Sequence, residues 1–114
     1  MTELELKIDL LSADARRAFD EGRLEDARDL WLVTADAMEE VGRRTSAWLY
    51  RVVAGRLHVL HWARSQHGPR IALADVRPLR RSPFKPGQRV TEFEIDRGVG
   101  IVRVDRRGRV RRVR

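Results

Sequence analysis

Residues 90–113 read VTEFEIDRGVGIVRVDRRGRVRRV, and this stretch decides the fold. Phe93 and Ile95 fall on one face of a strand over Val90–Ile95, because side chains alternate along extended backbone. Asp96-Arg97-Gly98 reads as a turn. Val99–Val104 is a second strand, β-branched at nearly all its apolar positions. Asp105-Arg106-Arg107-Gly108 then has the chemistry of a hairpin loop: Asp opens a type I turn and Gly fills the left-handed position. Arg109–Val113 is a third strand. A three-stranded meander this short is marginal alone, so it must pack on helices or on a partner.

Upstream the period changes from two to three and four. Thr2-x-x-Glu5 fits a capping box, and Leu4, Ile8, Leu11, Ala15, Ala18 and Phe19 follow as one apolar stripe. Gly22 ends this first helix. The second runs from about Leu24 to Val41 with the stripe Leu24, Ala27, Trp31, Thr34, Met38, Val41, and Gly42 stops it. The third is capped near Thr45 or Ser46 and continues to about Gln66, before Gly68-Pro69. Leu49, Val53, Leu57 and Leu60 share its apolar arc. Gly55 inside that helix costs about 1 kcal/mol relative to Ala, which implies close packing against a neighbour. All four prolines fall between residues 68 and 89, which read as a basic connector. The fold expected is α+β: a three-helix antiparallel unit over 1–67, a Pro-rich connector over 68–89, and an Arg-rich antiparallel β-meander over 90–114.

Charge follows the same division. Residues 1–40 carry five basic and twelve acidic side chains, a net of −7, whereas residues 41–114 carry nineteen basic and five acidic, a net of +14. Such asymmetry points to a polyanionic partner for the second part. Two Lys against 22 Arg has two readings: phosphate recognition by guanidinium groups, or a GC-rich coding sequence. The absence of Cys excludes disulfides and thiolate metal sites. No apolar run approaches the ~20 residues that span a bilayer. The acidic N-terminus is unlike a signal peptide, so a cytoplasmic protein with no membrane partner is expected.

Ala15, Ala18, Gly22, Leu24, Ala27, Trp31 and Thr34 place residues 8–41 in the register of a tetratricopeptide-repeat hairpin, which this segment resembles. Leu24 stands where that family has Tyr, and Thr34 where it has Ala. The resemblance covers about one repeat and implies binding of a protein or peptide. An ordinary antiparallel helical hairpin with small residues at its contact accounts for the same pattern. Phe84-Lys85-Pro86-Gly87-Gln88-Arg89-Val90, followed by Gly98-Val99-Gly100-Ile101-Val102, resembles the opening of SH3-like or Tudor-like barrels. That likeness implies contact with RNA polymerase or nucleic acid. A β-meander packed on the helices is the alternative.

Seven Arg lie within residues 103–114, offset only by Asp105. This exceeds what solubility requires, and it makes Arg103, Arg106, Arg107, Arg109, Arg111 and Arg112 the leading phosphate contacts. Arg80, Arg81, Lys85 and Arg89 would assist. An edge strand blunted by charge is the contrary reading. On the third helix Arg44 and Arg51 share a side with Trp48, His58 and Trp62, a mixed face that could bind nucleic acid or simply be solvated over packed tryptophans. Arg56 lies inside the apolar arc and needs a carboxylate, with Asp36, Glu39 and Glu40 as candidates. His58 and His61 have metal-ligand spacing but lack further ligands, so neither metal nor cofactor is expected. No nucleophile, base and acid combine into a catalytic pattern. The function expected is non-enzymatic binding of DNA or RNA, within a ribonucleoprotein or transcription assembly. The rival is an adaptor whose basic tail docks on an acidic protein surface. A homo-oligomer is left open.

Overall fold

The structure, a computed structural model, describes residues 2–79 and 86–113. Three helices precede a four-stranded antiparallel sheet, an α+β arrangement. The chain divides into two compact units, residues 1–54 and 55–114. The division falls inside the third helix, not at its end.

In the first unit α1 spans Glu3–Asp20, α2 Leu24–Glu40, and α3 begins at Arg44 and continues to His67. Thr2 caps α1: its hydroxyl oxygen accepts from the Glu5 N–H at 3.1 Å. Both helix stops are of one kind. Gly22 and Gly42 adopt φ of +77° and +82°. The next residues, Arg23 and Arg43, return N–H bonds to Ala18 O and Met38 O at 2.9 Å each. This left-handed closure satisfies carbonyls that the helix itself leaves open.

The interior of this unit is built from small side chains. Ala15, Ala18, Ala27, Ala35 and Ala47 are fully buried. They let backbones approach closely, while Ile8 and Met38 fill the remaining space beside Leu4, Val41 and Tyr50. Thr34 is buried too, and its hydroxyl donates to Leu30 O at 2.6 Å, so it needs no other partner. Trp31 meets Tyr50 edge-on at 4.3 Å. Leu49, expected in the core, is 49% exposed, and Ala47 and Ala54 take the buried positions of this half of α3.

The second unit comprises the rest of α3, a short 3-10 turn at Leu73–Asp75, and strands β1 (Val76–Pro78), β2 (Glu92–Ile95), β3 (Gly100–Val104) and β4 (Val110–Arg112). The sheet order is β1-β2-β3-β4, every pair antiparallel. β1 lies in the stretch read above as connector. Three residues ending in Pro carry no alternating signal; pairing with β2 creates the strand, and Pro78 is tolerated because β1 is an edge.

One face of the sheet is apolar. Register aligns Pro78, Phe93 and Val102, and beside them Val76, Ile95 and Gly100. Phe93, Ile95, Val102 and Val76 are buried together with Leu57, Val59, Leu60 and Ala63 of α3. The meander therefore packs on its own helix. The contact is close at Gly55, where a Cβ would stand 2.9 Å from Cζ of Phe93.

Among the described residues Arg56 pairs with no carboxylate. Its Nε and Nη2 donate to the carbonyls of Val76 and Leu73, each at 2.8 Å, and burial lowers its pKa. Arg64 does the same for Ile71 O at 2.8 Å. Two helix arginines thus satisfy three carbonyls between Ile71 and Val76, a use of guanidinium that calls for no counter-charge. Asp36 and Glu39, two of the acids expected to serve Arg56, pair instead with Arg51.

Candidate nucleic-acid interface

The β3–β4 hairpin presents the basic cluster, and its turn is fixed at three points. Asp105 Oδ1 accepts the backbone N–H groups of Arg107 at 2.8 Å and Arg109 at 3.0 Å. The Gly108 N–H returns to Asp105 O at 3.0 Å, with Gly108 at φ +80°. From below, His58 Nε2 donates to Gly108 O at 2.6 Å. The turn therefore holds its shape through backbone atoms and Asp105, leaving the side chains of Arg106, Arg107 and Arg109 exposed and uninvolved in its geometry.

Register places the remaining arginines. Glu92, Arg103 and Arg111 form one row on the face away from the core. Arg103 Nη2 lies 3.6 Å from Glu92 Oε2, while Arg111 stands directly opposite Arg103, a like-charge neighbour. Arg112 aligns with Val102 and so points to the other face. Among the described residues Arg106, Arg107, Arg109 and Arg111 carry no ion pair.

The other end of the sheet is neutralised. Arg77 forms a two-pronged pair with Asp96 at 2.7 and 2.8 Å and lies 3.5 Å from Glu94. Arg97 reaches Asp75 at 3.0 Å. Among the described residues of the sheet, the arginines without an ion pair thus lie at the β3–β4 end, Arg109 and Arg111 with the turn residues Arg106 and Arg107.

The remaining sequence-predicted residues fall elsewhere. Arg89 is exposed in the segment before β2. Arg44 is exposed at the start of α3 in the first unit, and Arg51 there is engaged by Asp36 and Glu39. Arg80, Arg81 and Lys85 lie outside the described residues. Trp62 is half-buried and meets His67 edge-on at 5.9 Å. Sequence reasoning missed the latch from His58 to the turn. Its one signal was a His on the helix that the meander had to cover. Among the described residues no group of three or more His, Cys, Asp or Glu is placed to hold a metal ion, and no helix is long and apolar enough to cross a membrane.

Three carboxylates of this unit titrate below the ordinary range. The Ala72 N–H holds Asp75 down, with Arg97 adding. Arg77 does so for Asp96. For Asp105 the Arg109 N–H leads, followed by the Arg107 N–H and the charges of Arg109 and Arg111. A depressed folded pKa gives stability that is complete above the unfolded value, about 4, and is lost as pH falls through the folded values. Amide exchange in β2 and β3 is therefore expected to show constant protection from neutrality down to about pH 5, and a decline below about pH 4. Asp96→Asn should make that decline shallower; an unchanged decline would remove Asp96 from the account.

No family model, curated protein or solved structure matches the chain.

Proposed function

We propose that the chain is a non-enzymatic nucleic-acid-binding protein that acts in the cytoplasm within a ribonucleoprotein or transcription assembly and grips phosphates through the β3–β4 hairpin. The observation that carries this reading is the turn itself. Arg106, Arg107, Arg109 and Arg111 gather on one hairpin with no ion pair among the described residues, on a backbone fixed by Asp105 and His58. A turn whose backbone is already fixed adds no backbone ordering cost when its cations meet a polyanion. Contacts of this kind fix position and carry no sequence information, so binding is weakly sequence-specific. The likeness of residues 84–104 to the opening of SH3-like barrels supports the same reading.

Titration of generic duplex at several salt concentrations tests it. Four phosphate contacts give a log–log slope of about −3.6, and affinity falls roughly a hundredfold between 50 and 200 mM salt. No binding at low salt would end the proposal. In that event the tetratricopeptide-like hairpin, supported by the buried Ala15, Ala18 and Ala27, favours the adaptor reading, in which capture of a protein survives nuclease treatment.

A further inference from the structure

The outward face of α1 carries a pattern that the nucleic-acid reading leaves unused. Ile8, Ala15 and Ala18 bury the inward face. Opposite them Leu6 and Leu10 are 51% and 60% exposed, and with Glu3, Leu4 and Lys7 they line a shallow apolar depression. Ala13, Asp14 and Arg17 continue the same exposed face. Asp14 and Arg17 are 3.8 Å apart and well solvated, so both remain available to a partner.

The order of these residues is self-complementary under reversal. Turn one copy of the helix end for end about Leu10, and Leu10 meets Leu10. On one flank Leu6 meets Ala13, a small residue that permits close approach. On the other flank Lys7 meets Asp14, while Glu3 and Arg17 lie close to the line through Leu10, one on each side of it, and meet across it. All the pairs share a midpoint within about half a residue of Leu10, given the uniform rise of a helix. A two-fold axis across an antiparallel helix pair brings like flanks together, which is what the Leu6–Ala13 and Lys7–Asp14 pairings require. Each charge meets its opposite, and each pair occurs twice.

We propose that this face is a homodimer interface in which α1 packs antiparallel on α1 of a second copy around Leu10. A patch of this length buries less than the interfaces of obligate dimers do. The dimer is therefore weak and in exchange with monomer. It would double the number of basic hairpins per particle, which raises apparent affinity for a long polyanion without any new contact. The proposal does not depend on that use: self-association needs no nucleic acid.

Sedimentation equilibrium of the full chain, free of nucleic acid, from low micromolar to several hundred micromolar, tests it. The apparent mass should rise from monomer toward dimer. Leu10→Glu places two like charges on the axis and should hold the chain monomeric. Lys7→Glu alone sets a carboxylate against Asp14, and Asp14→Lys alone sets an ammonium against Lys7. Each should weaken self-association roughly tenfold. An equimolar mixture of these two single variants should associate again. In the heterodimer the carboxylate introduced at position 7 of one chain meets the ammonium introduced at position 14 of the other, and the unaltered Asp14 and Lys7 meet at the symmetric contact. All the altered side chains are exposed, so thermal melting near that of the parent confirms that each variant is folded. A chain that stays monomeric throughout would overturn the proposal. So would a dimer indifferent to Leu10→Glu, or one whose charge variants fail to recover on mixing.

Discussion

Replacing Phe93 by Ala is expected to lower the stability of the second unit by about 3–5 kcal/mol, the range for deleting a fully buried aromatic ring. Phe93 is 1% exposed and is the largest fully buried side chain among the described residues. Its ring tip rests on Gly55, where the missing Cβ is what makes room. Two effects therefore oppose each other at Gly55. Ala in place of Gly favours the helix by about 1 kcal/mol, while the added methyl, 2.9 Å from the tip of a buried ring, costs roughly 1–3 kcal/mol in overpacking. Gly55→Ala alone should thus destabilise by about 1 kcal/mol. In the Phe93→Ala background the clash is gone and the same substitution should stabilise by about 1 kcal/mol. The change of sign, a coupling of about 2 kcal/mol in a double-mutant cycle, is the diagnostic result. Additive effects would mean that the ring does not sit on Gly55. Denaturant titration, with amide exchange in β2 and β3 to localise the loss, provides the measurement.

That contact was half legible in the sequence. A Gly inside an otherwise regular helix called for a close neighbour, and the alternation at Phe93 and Ile95 marked a buried strand face; which atom met which was not encoded locally. The helix boundaries were legible for the same reason: Thr2, Gly22 and Gly42 act through their own backbone and that of adjacent residues. β1 was not, because a three-residue edge strand exists only through its pairing with β2. The apolar arc of α3 was misread at Leu49. A single stripe presumes a single core, whereas the two halves of this helix belong to two compact units and bury different positions.

The arginines show the same limit more sharply. Composition marks them all as cations, yet their employment differs. Arg56 and Arg64 satisfy carbonyls; Arg51, Arg77 and Arg97 satisfy carboxylates. The sequence marks the last hairpin as the place of the excess. It could not separate Arg106, Arg107, Arg109 and Arg111 from Arg103, which faces Glu92, or from Arg112, which turns to the other face. Such distinctions depend on strand register, and register follows from long-range pairing that no local motif carries.

Removing the three turn arginines together is the most direct test of the proposed function. Arg106→Gln, Arg107→Gln and Arg109→Gln in one chain should lower affinity for duplex at low salt roughly a hundredfold, if each lost phosphate contact is worth about 1 kcal/mol net. The salt slope should shrink by about 2.7, since each contact contributes about 0.9. The turn itself should survive. Asp105 accepts from the backbone N–H groups of Arg107 and Arg109, and His58 donates to the Gly108 carbonyl; none of these bonds uses an arginine side chain. Loss of net charge alone would also weaken a polyanion interaction, so the comparison must hold charge fixed. Arg16→Gln, Arg43→Gln and Arg70→Gln remove the same three charges from exposed positions outside the hairpin. That chain should keep most of its affinity and nearly all of its salt slope. Equal losses in the two triple variants would mean that the protein binds by its overall field and that the hairpin has no special part in it. A large loss confined to the turn variant, with unchanged amide protection in β3 and β4, would leave the guanidinium groups of Arg106, Arg107 and Arg109 as the cause, because the two chains carry the same net charge and the turn backbone is intact.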